Sequence, residues 1–202
     1  DGVCREAAKQ EIVRRFYSSR CALRQGIAEP SEVYRLEMLM KSIGITQDIR
    51  KTVRAALEVA ERTSEPAVAV ELPDGRLVTG KTSPLLGASS AALLNALKTL
   101  GEIDDGIELI SPEVIEPIQQ LKVEHMGNHN PRLHTDEVLI ALSICAVTDR
   151  NAAHAIAQLS RLKGSEAHST VILSRVDESV FQKLGVNLTC EPKYQTKKLY
   201  HK

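Results

Sequence analysis

The chain has 202 residues, 43% of them hydrophobic, enough to bury the core of one large domain or two small ones. Its 26 basic and 26 acidic residues cancel, which excludes nucleic-acid binding driven by a positive excess. Aromatics make up 3% with no Trp, which excludes a base-stacking platform, and no stretch reaches the roughly 20 apolar residues of a bilayer-crossing helix.

The N-terminus is charged and amphipathic, without an apolar signal segment, and opens on Asp1 rather than Met, as a fragment or processed chain does. Residues 1–65 read as helices only, a subdomain forming a bundle or arm on something larger. Ile12, Val13, Phe16, Tyr17 and Leu23 recur at helical spacing among Arg14, Arg15, Arg20 and Arg24, up to Gly26. Ser31, behind Pro30, is the expected cap of a second helix carrying Val33, Leu36, Met40 and Ile43 and closed by Gly44. Thr46 is the expected cap of a third, with the stripe Ile49, Val53, Ala56, Leu57 and Ala60.

At Pro66 the pattern changes, and residues 66–202 read as an α/β domain. Short β runs at 67–72 and 76–79 flank Asp74-Gly75, a tight-turn dipeptide. Residues 85–100 predict a helix whose only charge is Lys98, buried in the domain or in a subunit contact. A strand at 107–110 precedes a helix at 112–124 in which Pro117 predicts a kink. The polar loop 127–134 leads to a helix at 136–148, capped by Thr135 and uncharged over 138–147; residues 149–162 are amphipathic. A strand at 170–173, a helix at 177–184 and a strand at 186–189 complete the alternation. That pattern predicts a layered α/β fold with a mixed sheet. The tail 197–202 reads as a frayed end.

Cys4, Cys21, Cys145 and Cys190 contain no CxxC pair and fit reduced thiols in a cytoplasm. GRLVTGKT at 75–82 satisfies the GxxxxGK[ST] phosphate-loop expression, but Arg76, Leu77, Val78 and Thr79 prefer an extended strand to a phosphate-wrapping loop. What survives is the turn Gly80, Lys81, Thr82 and Ser83 ahead of a helix, where N–H groups and a lysine can hold one anion. A capped helix with an exposed lysine is the competing reading. In NPRLHTDE at 130–137, Thr135, Asp136 and Glu137 suit a helix N-terminus, which leaves Arg132 and His134 unexplained at its mouth. His134 is a candidate general base or metal ligand, with a carboxylate orienting its other ring nitrogen. His125 and His129 have spacings that match no recognised zinc pattern. Glu166 and His168 project to one side of a strand and can share a proton, or form a structural polar pair. The deaminase signature H-x-E with P-C-x-x-C is absent, as is G-x-S-x-G, and Glu191 beside Cys190 disfavours a thiolate.

Five blocks carry a family resemblance: GKTSPLLGASSAALLNALK (80–98), LISPEVIEPIQQLK (109–122), NPRLHTDEVLIALSI (130–144), EAHSTVILS (166–174) and NLTCEP (187–192). Over residues 2–195 or so, the chain resembles the C-terminal part of the bacterial proteins grouped as domain-of-unknown-function family 1846, or uncharacterised protein family 0371. The resemblance implies a longer cytosolic parent, with an α/β portion preceding this helical subdomain. It also implies a three-layer final unit, similar in topology to cytidine-deaminase-like folds but without their zinc motif. It carries over no activity or catalytic role. It places Lys81, Ser83, Arg132, His134, Asp136, Glu166 and His168 inside its blocks, and His125 and His129 between them.

The expected function is a site for a small anionic or phosphorylated ligand. Gly80, Lys81, Thr82, Ser83 and Arg132 are its binding residues. His134, Asp136, Glu166 and His168 are its catalytic candidates, with no metal ligand and no cofactor assigned. For any chemistry there, His134 or His168 is the general base, and Lys81 or Arg132 stabilises negative charge. The first alternative is a homo-oligomerisation role for the bland helices at 85–100 and 138–148 together with the charged N-terminal arm; the second is a metal-dependent hydrolase. The main reading requires three separated patches to meet around one hollow.

Overall fold

The computed structural model describes residues 2–195, and the 197–202 tail lies outside them. Three helices come first: α1 (Gly2–Arg24), α2 (Pro30–Ser42) and, after a 3-10 turn at Gln47–Ile49, α3 (Lys51–Thr63). The hairpin β1 (Ala67–Glu71) and β2 (Leu77–Lys81) leads into α4 (Ala88–Leu100) and α5 (Pro112–Gln120), which widens into a π-helical turn at Leu121–His125. Then come α6 (Thr135–Cys145), α7 (Arg150–Ile156), β3 (Glu166–Ser169), α8 (Arg175–Lys183) and β4 (Asn187–Cys190). None of the helices described is long and apolar enough to cross a membrane.

The sheet is mixed, in the order β2-β1-β3-β4; β1 runs antiparallel to both neighbours, and β3 and β4 are parallel. Side chains alternate across a strand, so the register sorts them onto two faces. Val68 and Val70 of β1, Val78 of β2 and Ala167 of β3 join the large core built with α4, α6 and Phe181 of α8. Ala69 and its neighbours Thr79 and His168 lie on the other face, which α1 and α3 cover. A second core of Val13, Phe16, Tyr17, Val33, Met40, Ile45 and Val53 ties the first three helices together. The stretch read as a helical arm is therefore continuous with the sheet: α3 packs directly on β1, β2 and β3 through Thr52, Val53, Ala56 and Val59.

The hairpin falls where the Asp74-Gly75 signal puts it, with Gly75 at φ +86°, a left-handed conformation in which glycine carries no Cβ penalty. Several expected elements move. Residues 107–110 form no strand; Leu109 and Ile110 are instead buried against the large core from an irregular connection. The strand expected at 170–173 lies earlier, at Glu166–Ser169, because pairing with β1 uses Glu166 through Ser169. α8 starts at Arg175 rather than 177, since Ser174 caps it by accepting from the Asp177 N–H. Pro117 sits inside α5 without ending it. The cap of α6 is His134, not Thr135, whose hydroxyl donates to Asp177 instead.

α4 lies so close to β2 that Gly80 has no room for a side chain: a Cβ there falls 2.1 Å from the Ala92 backbone nitrogen. Both sides of that contact are backbone, so neither can yield as a flexible side chain does. Gly80→Ala is therefore expected to lose about 3 kcal/mol, at the upper end of overpacking costs, read as a lowered midpoint in urea denaturation.

Candidate functional site

In open α/β sheets the crevice beyond the carboxyl ends of the strands is where ligands bind. Here the carboxyl termini of β2 and β3 lie at the same end of the sheet, and their continuations run into the starts of α4 and α8. A hollow of about 70 Å³ opens there, lined by residues including Thr82, Ser89, Arg132, His134, Ser174 and Asp177. Three helices begin on it: α4 after Gly87, α6 after His134 and α8 after Ser174. Helix starts carry partial positive charge on their unpaired N–H groups, so their convergence favours an anion.

Backbone pairing holds the loops in place. Leu133 bridges Leu86; its N–H donates to Leu85 O at 3.1 Å, and its carbonyl accepts from the Gly87 N–H at 3.3 Å and the Ser90 hydroxyl at 2.8 Å. Arg132, almost wholly buried, donates from Nε to Ser83 O at 2.6 Å. Buried Lys122 donates 2.7 Å bonds to Arg132 O and to Glu137 Oε2, and the same carboxylate oxygen accepts the His134 N–H at 2.8 Å.

Asp177 is the centre of the arrangement. Its carboxylate accepts from the Thr135 N–H and Thr135 hydroxyl at 2.9 Å and from Ser174 Oγ at 2.8 Å, and His134 Nδ1 lies 3.0 Å away. Burial alone raises a carboxyl, but the hydrogen bonds from His134, the Thr135 amide and Ser174 outweigh it and hold Asp177 at about 2. The bond to Asp177 in turn raises His134 above its ordinary value, against the opposing effect of burial.

Only part of the expected constellation meets at the hollow. Thr82, Arg132 and His134 line it; Ser83 contributes its carbonyl to Arg132, while its hydroxyl accepts from the Leu85 and Leu86 N–H groups. Gly80 serves the contact with α4, and Lys81, exposed, projects to the opposite sheet face. Asp136 accepts from the Glu137 N–H and is not the partner of His134. Glu166 and His168 do share a side, but it is the face under α1 and α3. There Glu166 pairs with Arg14 at 2.8 Å and with the fully buried Arg50 at 2.6 Å. His168 is fully buried against the Tyr17 ring, with Nδ1 2.8 Å from Thr189 Oγ1 and Nε2 3.4 Å from Glu191. Burial pushes its pKa down despite Glu191. Among the described residues, no three His, Cys, Asp or Glu side chains gather as metal ligands. Asp177 is the residue that sequence reasoning passed over. Its signal was Ser174-x-x-Asp177, the capping spacing that marks a helix start.

Removing the Asp177 acceptor strands buried donors, so Asp177→Ala is expected to cost about 3 kcal/mol or more in urea denaturation. The lowered carboxyl pKa gives stability that is complete above its unfolded value of about 3.9 and is lost as the pH falls toward 2. Wild type should therefore lose more stability than Asp177→Asn between pH 4 and 2. Glu166→Gln, which leaves Arg50 buried without its counter-charge, is expected to destabilise by about 3 kcal/mol while leaving the hollow's ligand binding intact.

Comparison with known proteins gives a consistent picture. Residues 48–200 match the model of the domain of unknown function DUF1846, C-terminal, and residues 1–44 match its N-terminal counterpart. A UPF0371 protein of Corynebacterium urealyticum is 54% identical over 202 residues, the whole of this chain and 41% of the relative. One from Streptococcus pyogenes serotype M5 is 52% identical over 197 residues, 98% of this chain and 40% of its own length. A third, from Corynebacterium efficiens, is 54% identical over 202 residues, all of this chain and 41% of that protein. The chain thus spans about two-fifths of the length of these relatives, whose names assign no activity.

Proposed function

The chain belongs to the DUF1846 family, and from that premise we propose that it binds a small oxyanion, a phosphate or carboxylate group of a metabolite, in the hollow beyond β2 and β3. The observation that carries this reading is the convergence of three helix starts with Arg132 and His134 on one hollow. At α6 the positive end already faces the Asp177 carboxylate. At α4 the cap is Gly87, which has no side chain to offer, so the amides of Ala88 and Ser89, which line the hollow, and of Ser90 in the same first turn are the natural anion donors, with Thr82 on the lining as well. A volume of about 70 Å³ suits one such group rather than a whole nucleotide.

The layer order supports reading the unit as cytidine-deaminase-like in topology, with the hairpin strand β1 opposed to the rest of the sheet. Four unpaired cysteines support a cytoplasmic setting. The test is titration with inorganic phosphate at low salt, followed by NMR of the backbone amides. Saturable shifts at Ala88, Ser89 and Ser90, weakening as salt rises, are expected; a saturating titration that leaves those amides unmoved overturns the proposal.

One observation favours self-association as a second role. Ile140, Ile144 and Val147 are 60%, 63% and 82% exposed and lie on one side of α6 and its continuation. A symmetric pairing of two copies through this stripe gives each apolar side chain a matching partner. Light scattering should then give a dimer mass for wild type and a monomer for Ile144→Lys; a monomer for both removes this role.

A further inference from the structure

We infer that His134 is a general acid–base group acting on the ligand held in this hollow, with Asp177 as the residue that positions it. The inference rests on the anion-binding reading above and adds an activity to it.

The Asp177 carboxylate decides which ring nitrogen of His134 carries the proton. The Asp177 side chain is only 6% exposed and accepts from the Thr135 N–H, the Thr135 hydroxyl and the Ser174 hydroxyl, so it is an ionised, acceptor-only group. A ring nitrogen 3.0 Å from such a carboxylate must donate, which fixes the neutral imidazole as Nδ1–H. The lone pair is then on Nε2. The His134 side chain is 31% exposed and lines the hollow, so this nitrogen is the one available to a ligand. The backbone is fixed as well, because the His134 N–H is held by Glu137, itself paired with Lys122. The alternative base, His168, has the opposite situation: it is fully buried under α1 and faces no opening.

The charged groups around His134 come from every side of the hollow. They are Asp177 from α8, Lys122 from the π-helical turn, Arg132 from the preceding loop, and Glu137 and Asp136 from α6 itself. The hydrogen bond to Asp177 is the strongest of their effects and favours the imidazolium. In the step, an O–H bond of a ligand hydroxyl or a bound water breaks, its proton forms a bond to Nε2, and the electron pair stays on oxygen. The freed oxygen forms a bond to the ligand's phosphorus or carbonyl carbon as the bond from that atom to its leaving oxygen breaks, and the imidazolium, balanced by Asp177, gives its Nε2 proton to that leaving oxygen. Arg132 and the start of α4 hold the ligand's own anionic group meanwhile. The substrate class is thus a small phosphorylated or carboxylated compound with a hydroxyl, or a hydrolysable bond, next to the anion.

The test uses imidazole NMR, read together with carbethoxylation by diethyl pyrocarbonate and mass spectrometry, on the full chain with and without inorganic phosphate. His134 should be the Nδ1–H tautomer, should be labelled at least tenfold faster than His168 once neutral, and should be protected by phosphate. Asp177→Asn should lower its pKa by about one unit, a tenfold loss of proton affinity. If that variant fails to fold, Ser174→Ala, which removes one donor to the same carboxylate, should perturb the titration in its place. An Nε2–H tautomer, or a titration unmoved by either variant, overturns the inference. Phosphate that shifts the α4 amides but neither protects His134 nor moves its titration overturns the acid–base role and leaves the binding role. Phosphate without effect on the α4 amides removes both.

Discussion

The buried carboxylate of Asp177 is the constraint from which the geometry of the hollow follows. It is anchored at the first turn of α8 by Ser174, and it accepts from both the amide and the hydroxyl of the first residue of α6. Two helices far apart in sequence are thereby made to start at the same point. An unpaired charge at 4% exposure is costly, and four donors arranged around it turn that cost into a clamp. With α6 and α8 fixed, Leu133 is brought beside Leu86, and the loop before α6 closes over the start of α4.

The opposite face of the sheet shows what the same residue types do when the aim is cohesion. Glu166 and His168 alternate in β3 as two groups that share a proton do, yet each is committed to a helix. Glu166 holds Arg14 of α1 and Arg50 at the start of α3, and His168 packs at a tilt against the Tyr17 ring. Arg50 also donates to Ala167 O and Asn187 O, so its guanidinium stitches β3 to β4 beneath the helices. Chemistry requires a group with one side held and one side open. His134 has that asymmetry, and Glu166 and His168 do not.

The sequence made the hairpin, the buried α4 and the mixed layers legible because each leaves a local trace: a turn dipeptide, a charge-poor run, a change of period. It also singled out Arg132 and His134, since a helix N-terminus explains Thr135 and the acids after it but not those two. The partner of His134 was not legible, because Asp136, two residues away, is the nearest carboxylate in sequence while the actual partner lies 43 residues on. The side on which Glu166 and His168 project was readable from alternation, but which layer covers that side depends on where α1 docks. The bounds of β3 shifted for a related reason: residues 170–173 have strand composition, yet contact with β1 ends where the Thr170 N–H donates to the carbonyl of Ala67, the first residue of β1.

The family boundary between residues 44 and 48 gives this docking a further meaning. α1 belongs to the segment that matches the N-terminal family model, yet it supplies Arg14 and Tyr17 to the sheet and packs along β4. The Cys21 thiol donates to Cys190 O at 3.2 Å, a further link from the same helix to that strand. The division between the two family matches is therefore not a division in packing: α1, from the first, helps to cover a face of the sheet in the second. Within the chain, α1 thus meets β3 and β4, and β3 runs directly into the loop that carries Ser174.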